Sequence, residues 1–237
     1  MRTTIRILCS LPPLIFASSL ADAGGLYIRE FGQPSQAASG AGANVYAEDA
    51  STAFQNPSGL FNLKKDSNWM VTGVVVDSKV EFETTNANTV SGDDGGDAGD
   101  TLGGGALFHT RRLSDRWGVA LSLNSISGSA VDYGDTFAGR YLGYETELLT
   151  VTFTPSLAYK VNDALSVSVG VPMIYGELDL TAAIPPLLGP ATANRDGELE
   201  IKNGDDFDAA LTVSALWQIN DQFRLGTGWI GENKLTL

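Results

Sequence analysis

Cysteine is nearly missing from this sequence: Cys9 is the single one, and it lies in the first apolar stretch. Beyond that stretch there is no thiol, which excludes a disulfide framework and thiolate metal ligands. Histidine is as scarce. His109 stands alone, with no Cys or second His to share a metal. No apolar run after residue 23 reaches the length that a membrane-spanning helix needs. Charged residues make up only 18 % of the chain, and the formal net charge is −13. An acidic chain of this kind has no electrostatic footprint for nucleic acid. No Ser is placed with a readable base, so no enzyme, catalytic residue, cofactor or metal is expected.

What is present suits an all-β protein: 237 residues, 43 % of them hydrophobic, with 27 Gly and many short β-prone runs. The start is an exception. Arg2 and Arg6 precede a mostly apolar segment at 7–20, and Ala21-Asp22-Ala23 forms an A-x-A site. Residues 1–23 therefore read as a secretory signal cleaved after Ala23, and Pro12-Pro13 argues against an anchor helix.

Period-two alternation dominates the rest. Leu149, Val151, Phe153, Pro155, Leu157 and Tyr159 share one strand face, opposite Thr150, Thr152, Thr154, Ser156, Ala158 and Lys160. The next run sets Leu165, Val167, Val169, Val171, Met173 and Tyr175 against Ser166, Ser168 and Gly170, with Ile174 breaking the pattern. After Gly176 the parity changes to Leu178 and Leu180, which predicts a bulge. A third run sets Ala209, Leu211, Val213, Ala215, Trp217 and Ile219 against Asp208, Thr212, Ser214 and Gln218. Earlier, Trp117, Val119, Leu121 and Leu123 alternate with small residues. Weaker strands around 69–83, 104–112 and 223–237 bring the number to seven.

Connections are more telling than strands. Residues 113–116, 162–164 and 220–222 are tight polar turns, whereas 84–103, 127–147 and 181–206 are long, and the two kinds alternate. An up-and-down sheet then has all short turns at one end, as in outer-membrane barrels with short periplasmic turns. Trp69, Trp117, Tyr159, Trp217 and Phe223 lie at the short-turn ends, where a periplasmic aromatic girdle belongs. Phe137, Tyr141 and Tyr144 are candidates for the opposite rim. A soluble sandwich explains one-ended long loops less well. The fold class expected is all-β: a transmembrane, antiparallel, up-and-down β-barrel, partial here, in the outer membrane of a Gram-negative cell.

Residues 24–63 change character. Gly24-Gly25-Leu26-Tyr27-Ile28-Arg29-Glu30-Phe31-Gly32 leads to Ala37-Ala38-Ser39-Gly40-Ala41-Gly42-Ala43. The segment continues from Glu48 to Asn56-Pro57-Ser58-Gly59-Leu60. Pro57 ends any helix at 49–55, and Gly59 permits a tight turn. Gly40-Ala41-Gly42 is not a dinucleotide fingerprint, because no strand precedes it and no third Gly follows at the required spacing.

This segment resembles the N-terminal hatch of the FadL-type family of long-chain fatty acid and hydrophobic-compound transporters. Asn56, Pro57, Ser58 and Gly59 stand at the family's Asn-Pro-Ala-Gly-type motif, with Ser58 in place of the usual Ala. Phe137-Ala138-Gly139-Arg140-Tyr141 and Pro155-Ser156-Leu157-Ala158-Tyr159-Lys160 also look like family segments. The resemblance covers the chain after residue 23 but only the first half of a family member, whose barrels have about fourteen strands. It implies a hatch at 24–63 and strands one to seven at 64–237, with the chain truncated at Leu237.

The resemblance further implies passive uptake of a long-chain fatty acid or an aromatic hydrophobic molecule, with outer-membrane lipids and lipopolysaccharide as surroundings. Capture would use an apolar loop, here Ile184, Leu187 and Leu188 within 181–206, which could otherwise be a local loop core. A lateral gap would lie in the third strand near 124–128, around Ile126. By parity Thr150, Thr152, Thr154, Ser156, Asp208, Thr212 and Ser214 face the lumen. The acidic run from Asp93 to Asp100 reads as a solvated loop, with Ca²⁺ or lipopolysaccharide bridging as the alternative. A structural or adhesive surface barrel and a general porin are the competing functions.

Overall fold

The computed structural model describes residues 33–84, 90–125, 128–188 and 195–237. The signal reading at 1–23, the hatch start at 24–32 and Ile126 lie outside them. Ten strands form one antiparallel sheet: β1 (Ser67–Asp77), β2 (Thr101–Arg112), β3 (Trp117–Asn124), β4 (Gly128–Asp132) and β5 (Glu145–Lys160). β6 (Leu165–Gly170), β7 (Met173–Ile184), β8 (Gly197–Ala209), β9 (Thr212–Gln218) and β10 (Arg224–Ile230) complete it. β3 and β4 both pair with one side of β5, and β6 and β7 with the other. β8 continues β9 in the same way, so ten strands make the seven staves expected from the sequence.

Each interruption has a local cause or a register signature. Pro172, between β6 and β7, has no N–H to give the ladder. The register survives it, since Ser156↔Gly170 and Phe153↔Met173 lie on one continuous alignment. Between β3 and β4 the alignment does shift. Asn124 faces Thr152 and Gly128 faces Leu149, so the third stave carries one residue more than its partner.

The bulge expected after Gly176 is not in that strand. Pairing of β7 with β5 runs unbroken from Met173↔Phe153 to Thr181↔Glu145. The irregularity lies toward β8, where Leu178 faces Gly204 and Leu180 faces Ile201, and Asn203 takes a left-handed φ of 55°. Leu178 and Leu180 therefore share the face of Ile174, inside the curl of the sheet.

Burial along β5 alternates residue by residue, with Thr150, Thr152, Thr154, Ser156 and Ala158 buried and their odd neighbours open. The open face is apolar from Leu149 to Tyr159. Ten steps of about 3.3 Å span roughly 33 Å, which a tilt of about 45° reduces to about 23 Å. That height matches the apolar band of about 25 Å in outer-membrane barrels. Above it the same face turns acidic, with Glu145, Glu147, Glu177 and Asp179.

The short turns close themselves. The Asn162 side-chain oxygen accepts from the N–H of Ala164 (2.9 Å) and Leu165 (2.8 Å). Asn220 does the same for Gln222 (2.9 Å) and Phe223 (3.0 Å). At the third turn the Ser114 hydroxyl accepts from the Trp117 N–H at 3.1 Å.

The N-terminal segment packs inside. It consists of a 3-10 turn at Pro34–Ala38, α1 (Ala43–Tyr46), α2 (Thr52–Gln55) and a second 3-10 turn at Pro57–Asn62. Ala50, Ala53 and Leu60 form the core with Ala106, Phe108, Ala120 and Ala158 of the inner face. The turn at Pro57–Asn62 touches β2, β3, β5, β6 and β9, which requires the sheet to wrap around it. Among the described residues β1 and β10 do not pair, so the curl has two free edges.

Candidate functional site

The Asn56-Pro57-Ser58-Gly59 motif fastens the N-terminal segment to the wall. α2 stops at Gln55 because Asn56 is extended, at φ −161°, ahead of Pro57. Asn56 is fully buried, and its amide nitrogen donates to the Asn44 carbonyl (2.7 Å) and the Ala215 carbonyl (3.0 Å). Its side-chain oxygen accepts from the Ser214 hydroxyl at 2.7 Å and also from Ser58. The Ser166 hydroxyl donates to the Ser58 carbonyl at 2.8 Å. The motif thus clasps β6 and β9 together. Gly59 lies in the expected tight turn, its N–H donating to the Asn56 carbonyl at 2.9 Å, and it also allows close approach: a Cβ there would lie 2.6 Å from Ala47 Cβ and Thr52 Oγ1.

Two wall arginines hold the segment from the short-turn end. Arg112 donates to the Phe61 and Leu63 carbonyls, and Arg224 to the Val45 carbonyl at 2.9 Å. A cavity of about 700 Å³ flanks the segment, lined by Gln33, Phe54, Gln55, Thr154, Ser214 and Gly228. Its lining mixes amides, hydroxyls and apolar groups.

Above the segment the inner face becomes apolar. Leu148 stands opposite Leu178, and Leu180 opposite Ile201. Ile174 lies two inward-facing pairs below, past Thr150 and Gly176, buried against Thr152. Asp206 and Asp208 border this lane and accept from the backbone N–H of Thr236 (2.7 Å) and Lys234 (2.5 Å). Of the residues expected in the lumen, Thr150, Thr152, Thr154 and Ser156 are buried there, Ser214 holds Asn56, and Thr212 donates to the Trp229 carbonyl.

The expected capture loop is shorter than its sequence suggested. β7 extends through it to Ile184, which pairs with Gly197 of β8. Ala182 and Ala183 are buried, whereas Leu187 is 100 % and Leu188 82 % exposed. Ile184 is also open, at 46 %.

A knot around Arg140 ties the long loops, and sequence reasoning had given it no role. Arg140 is fully buried, and its Nε meets Asp196 at 2.6 Å. One guanidinium nitrogen donates to the Ser91 carbonyl (2.7 Å) and the Phe137 carbonyl (3.0 Å). Another donates to the Tyr141 hydroxyl at 3.0 Å, which itself donates to Asp196. All three long connections meet there. Burial opposes the Arg140 charge, but Asp196 and Tyr141 outweigh it and raise the pKa. Burial and then its bond to Glu198 push Tyr144 up to about 12. These aromatics belong to the loop cap and not to a lipid rim, as expected from sequence: Phe137 is buried, stacking on Tyr133 with Phe82 at its edge.

The acidic run is used locally. Asp93, Asp94 and Asp97 each accept from a glycine N–H two residues on, and Asp93 also from Thr136. Among the described residues no His, Cys, Asp or Glu grouping is fit for a metal ion. His109 faces outward under Trp69, ring to ring at 3.9 Å, with its Nδ1–H donating to the Asn68 carbonyl.

An outward apolar belt, self-closed turns at one end, tied loops at the other and a segment clasped inside define a β-barrel protein of the outer membrane. Comparison with known proteins agrees. Residues 14–237 match the family described as outer membrane protein transport protein (OMPP1/FadL/TodX), and the chain belongs to it. It is 24 % identical over 232 residues to a long-chain fatty acid transport protein of Salmonella typhi, covering 92 % of this chain and 52 % of that protein. It is 24 % identical over 180 residues to outer membrane protein P1 of Haemophilus influenzae, covering 69 % and 39 %. The chain thus spans about half the length of the curated relatives it matches.

Solved structures share the fold. A Pseudomonas aeruginosa FadL homologue superposes with a TM-score of 0.63 at 20 % identity, over 81 % of this chain and 49 % of that one. The Pseudomonas putida toluene transporter TodX gives 0.60 at 14 %, over 79 % and 52 %.

Proposed function

We propose that the protein, as part of a complete barrel, takes up long-chain fatty acids or aromatic hydrophobic molecules across the outer membrane by passive diffusion. The observation that carries this reading is the apolar lane of Leu148, Leu178, Leu180 and Ile201 on the inner face above the N-terminal segment. A tail of about ten to sixteen methylenes faces roughly 8–13 kcal/mol in a water-filled pore. Leucine side chains along the wall lower that penalty, and the segment below acts as a hatch against bulk water. Leu187 and Leu188, exposed beyond Ile184, are the capture surface at the loop end. The register shift in the third stave, between Asn124 and Gly128, supports a sideways exit there. The mature chain begins after Ala23, and lipopolysaccharide and phospholipid surround the barrel.

The test is uptake of labelled oleate and labelled toluene by cells carrying the full-length parent or its Leu148→Asp and Leu178→Asp variants. Both variants are expected to lose most uptake of the preferred cargo. Uptake by the parent no faster than by cells lacking it removes the transport reading. Unchanged uptake after deletion of residues 24–60 removes the hatch from it and favours a surface role.

A further inference from the structure

Arg111 is an exception on the apolar belt side of the sheet. Its cross-strand partners are Ser67 on β1 and Val119 on β3, both on the outward face. The Trp69–His109 stack lies one outward-facing step above it, and the Trp117–Tyr159 pair lies beside and below, with ring centres 4.7 Å apart. Two aromatic pairs therefore frame the guanidinium at the periplasmic boundary of the belt.

The Arg111 side chain has no hydrogen-bond or ion-pair partner among the described residues. Its neighbour Arg112, facing inward, uses both terminal nitrogens on Phe61, Leu63 and Asp66, so Asp66 is already paired. Lys64, Lys65 and Arg116 add positive charge in the same turns, which with Arg111 and Arg112 outnumbers the acids Asp66 and Asp115 there. The outward face has the opposite sign at its far end, where Glu145, Glu147, Glu177 and Asp179 gather. A free guanidinium is poorly placed in hydrocarbon but well placed at the headgroup level, where indole rings also settle. Its planar fork suits bidentate binding to a phosphate.

We propose that Arg111, flanked by Trp69 and Trp117, holds the phosphate of an anionic phospholipid in the periplasmic leaflet. Lys64 and Lys65 strengthen the local field, and the two indoles pack against the glycerol and upper acyl chain.

The full-length parent, purified in detergent, is incubated with phosphatidylglycerol or phosphatidylcholine and examined by native mass spectrometry. The wild type is expected to retain phosphatidylglycerol about fivefold better, the gain of one basic group at an anionic surface. Arg111→Gln is expected to lose this preference, Arg111→Lys to keep part of it, and Lys79→Gln at the other rim to leave it unchanged. Equal retention of both lipids by the wild type overturns the proposal, as does an undiminished preference in Arg111→Gln. Should Arg111→Gln not fold, tryptophan quenching of the wild type in vesicles decides. Stronger quenching by brominated phosphatidylglycerol than by brominated phosphatidylcholine, abolished by high salt, supports the site; equal quenching overturns it. Neither readout involves cargo uptake.

Discussion

The Asn56 side-chain amide donates to the Ala215 carbonyl at 3.0 Å, across 159 positions of sequence. The bond joins the N-terminal segment to the far side of the sheet, and the Ser214 hydroxyl returns to the same Asn56. Removing the amide strands several buried partners at once. Asn56→Ala in the full-length parent is expected to cost about 2–4 kcal/mol. Heat-modifiable migration on gels, followed against temperature, reads the loss. Ser58→Ala removes one of the two hydroxyls from which Asn56 accepts and is expected to cost under about 1 kcal/mol.

Arg140→Ala leaves Asp196 buried without its cation, and is expected to cost the loop cap about 3–5 kcal/mol. Because the knot joins three loops, the effect is local to one end. Protease added to intact cells should cut within the loops of the variant and spare those of the wild type. Equal resistance would show that the loops hold together by other contacts.

Phe153→Arg places a charge in the middle of the outward belt and is expected to cost about 2–4 kcal/mol. Phe153→Leu, which keeps the surface apolar, should change little. Urea unfolding in vesicles separates the two. Thr152, its neighbour facing inward, is 2 % exposed, so arginine there is disfavoured by crowding and not by lipid.

Tyr144 is held neutral by burial and by its bond to Glu198, with a pKa about 12 against the ordinary 10.0. The neutral phenol is favoured in the folded loops, so its stabilising contribution is full below pH 10 and fades as pH rises through about 12. Ultraviolet titration of phenolate absorbance should show a late-titrating tyrosine that disappears in Tyr144→Phe.

The staves were legible because each had one side in hydrocarbon and one inside, which imposes period two on β5, β6 and β9. The motif at Asn56 was legible too, but its partners were not. Ser214 and Ser166 look like any polar lumen residue until the curl brings them to the segment. Leu178 and Leu180 misled for a related reason: apolar residues on both faces erase the parity on which the bulge was inferred. Arg140 stood out only as part of a family-like segment, since a lone arginine in a loop does not show which remote carboxylate it will meet.

The clasp also dictates an order of assembly. The hairpins close on their own Asn and Ser side chains within a few residues, so they can form early and cheaply. The N-terminal segment, synthesised before the strands, must wait for β6 and β9 before Asn56, Ser58 and their partners can meet. The segment is thus synthesised before the wall that holds it and seated after it, so the inner face of the sheet stays open until β6 and β9 are in place.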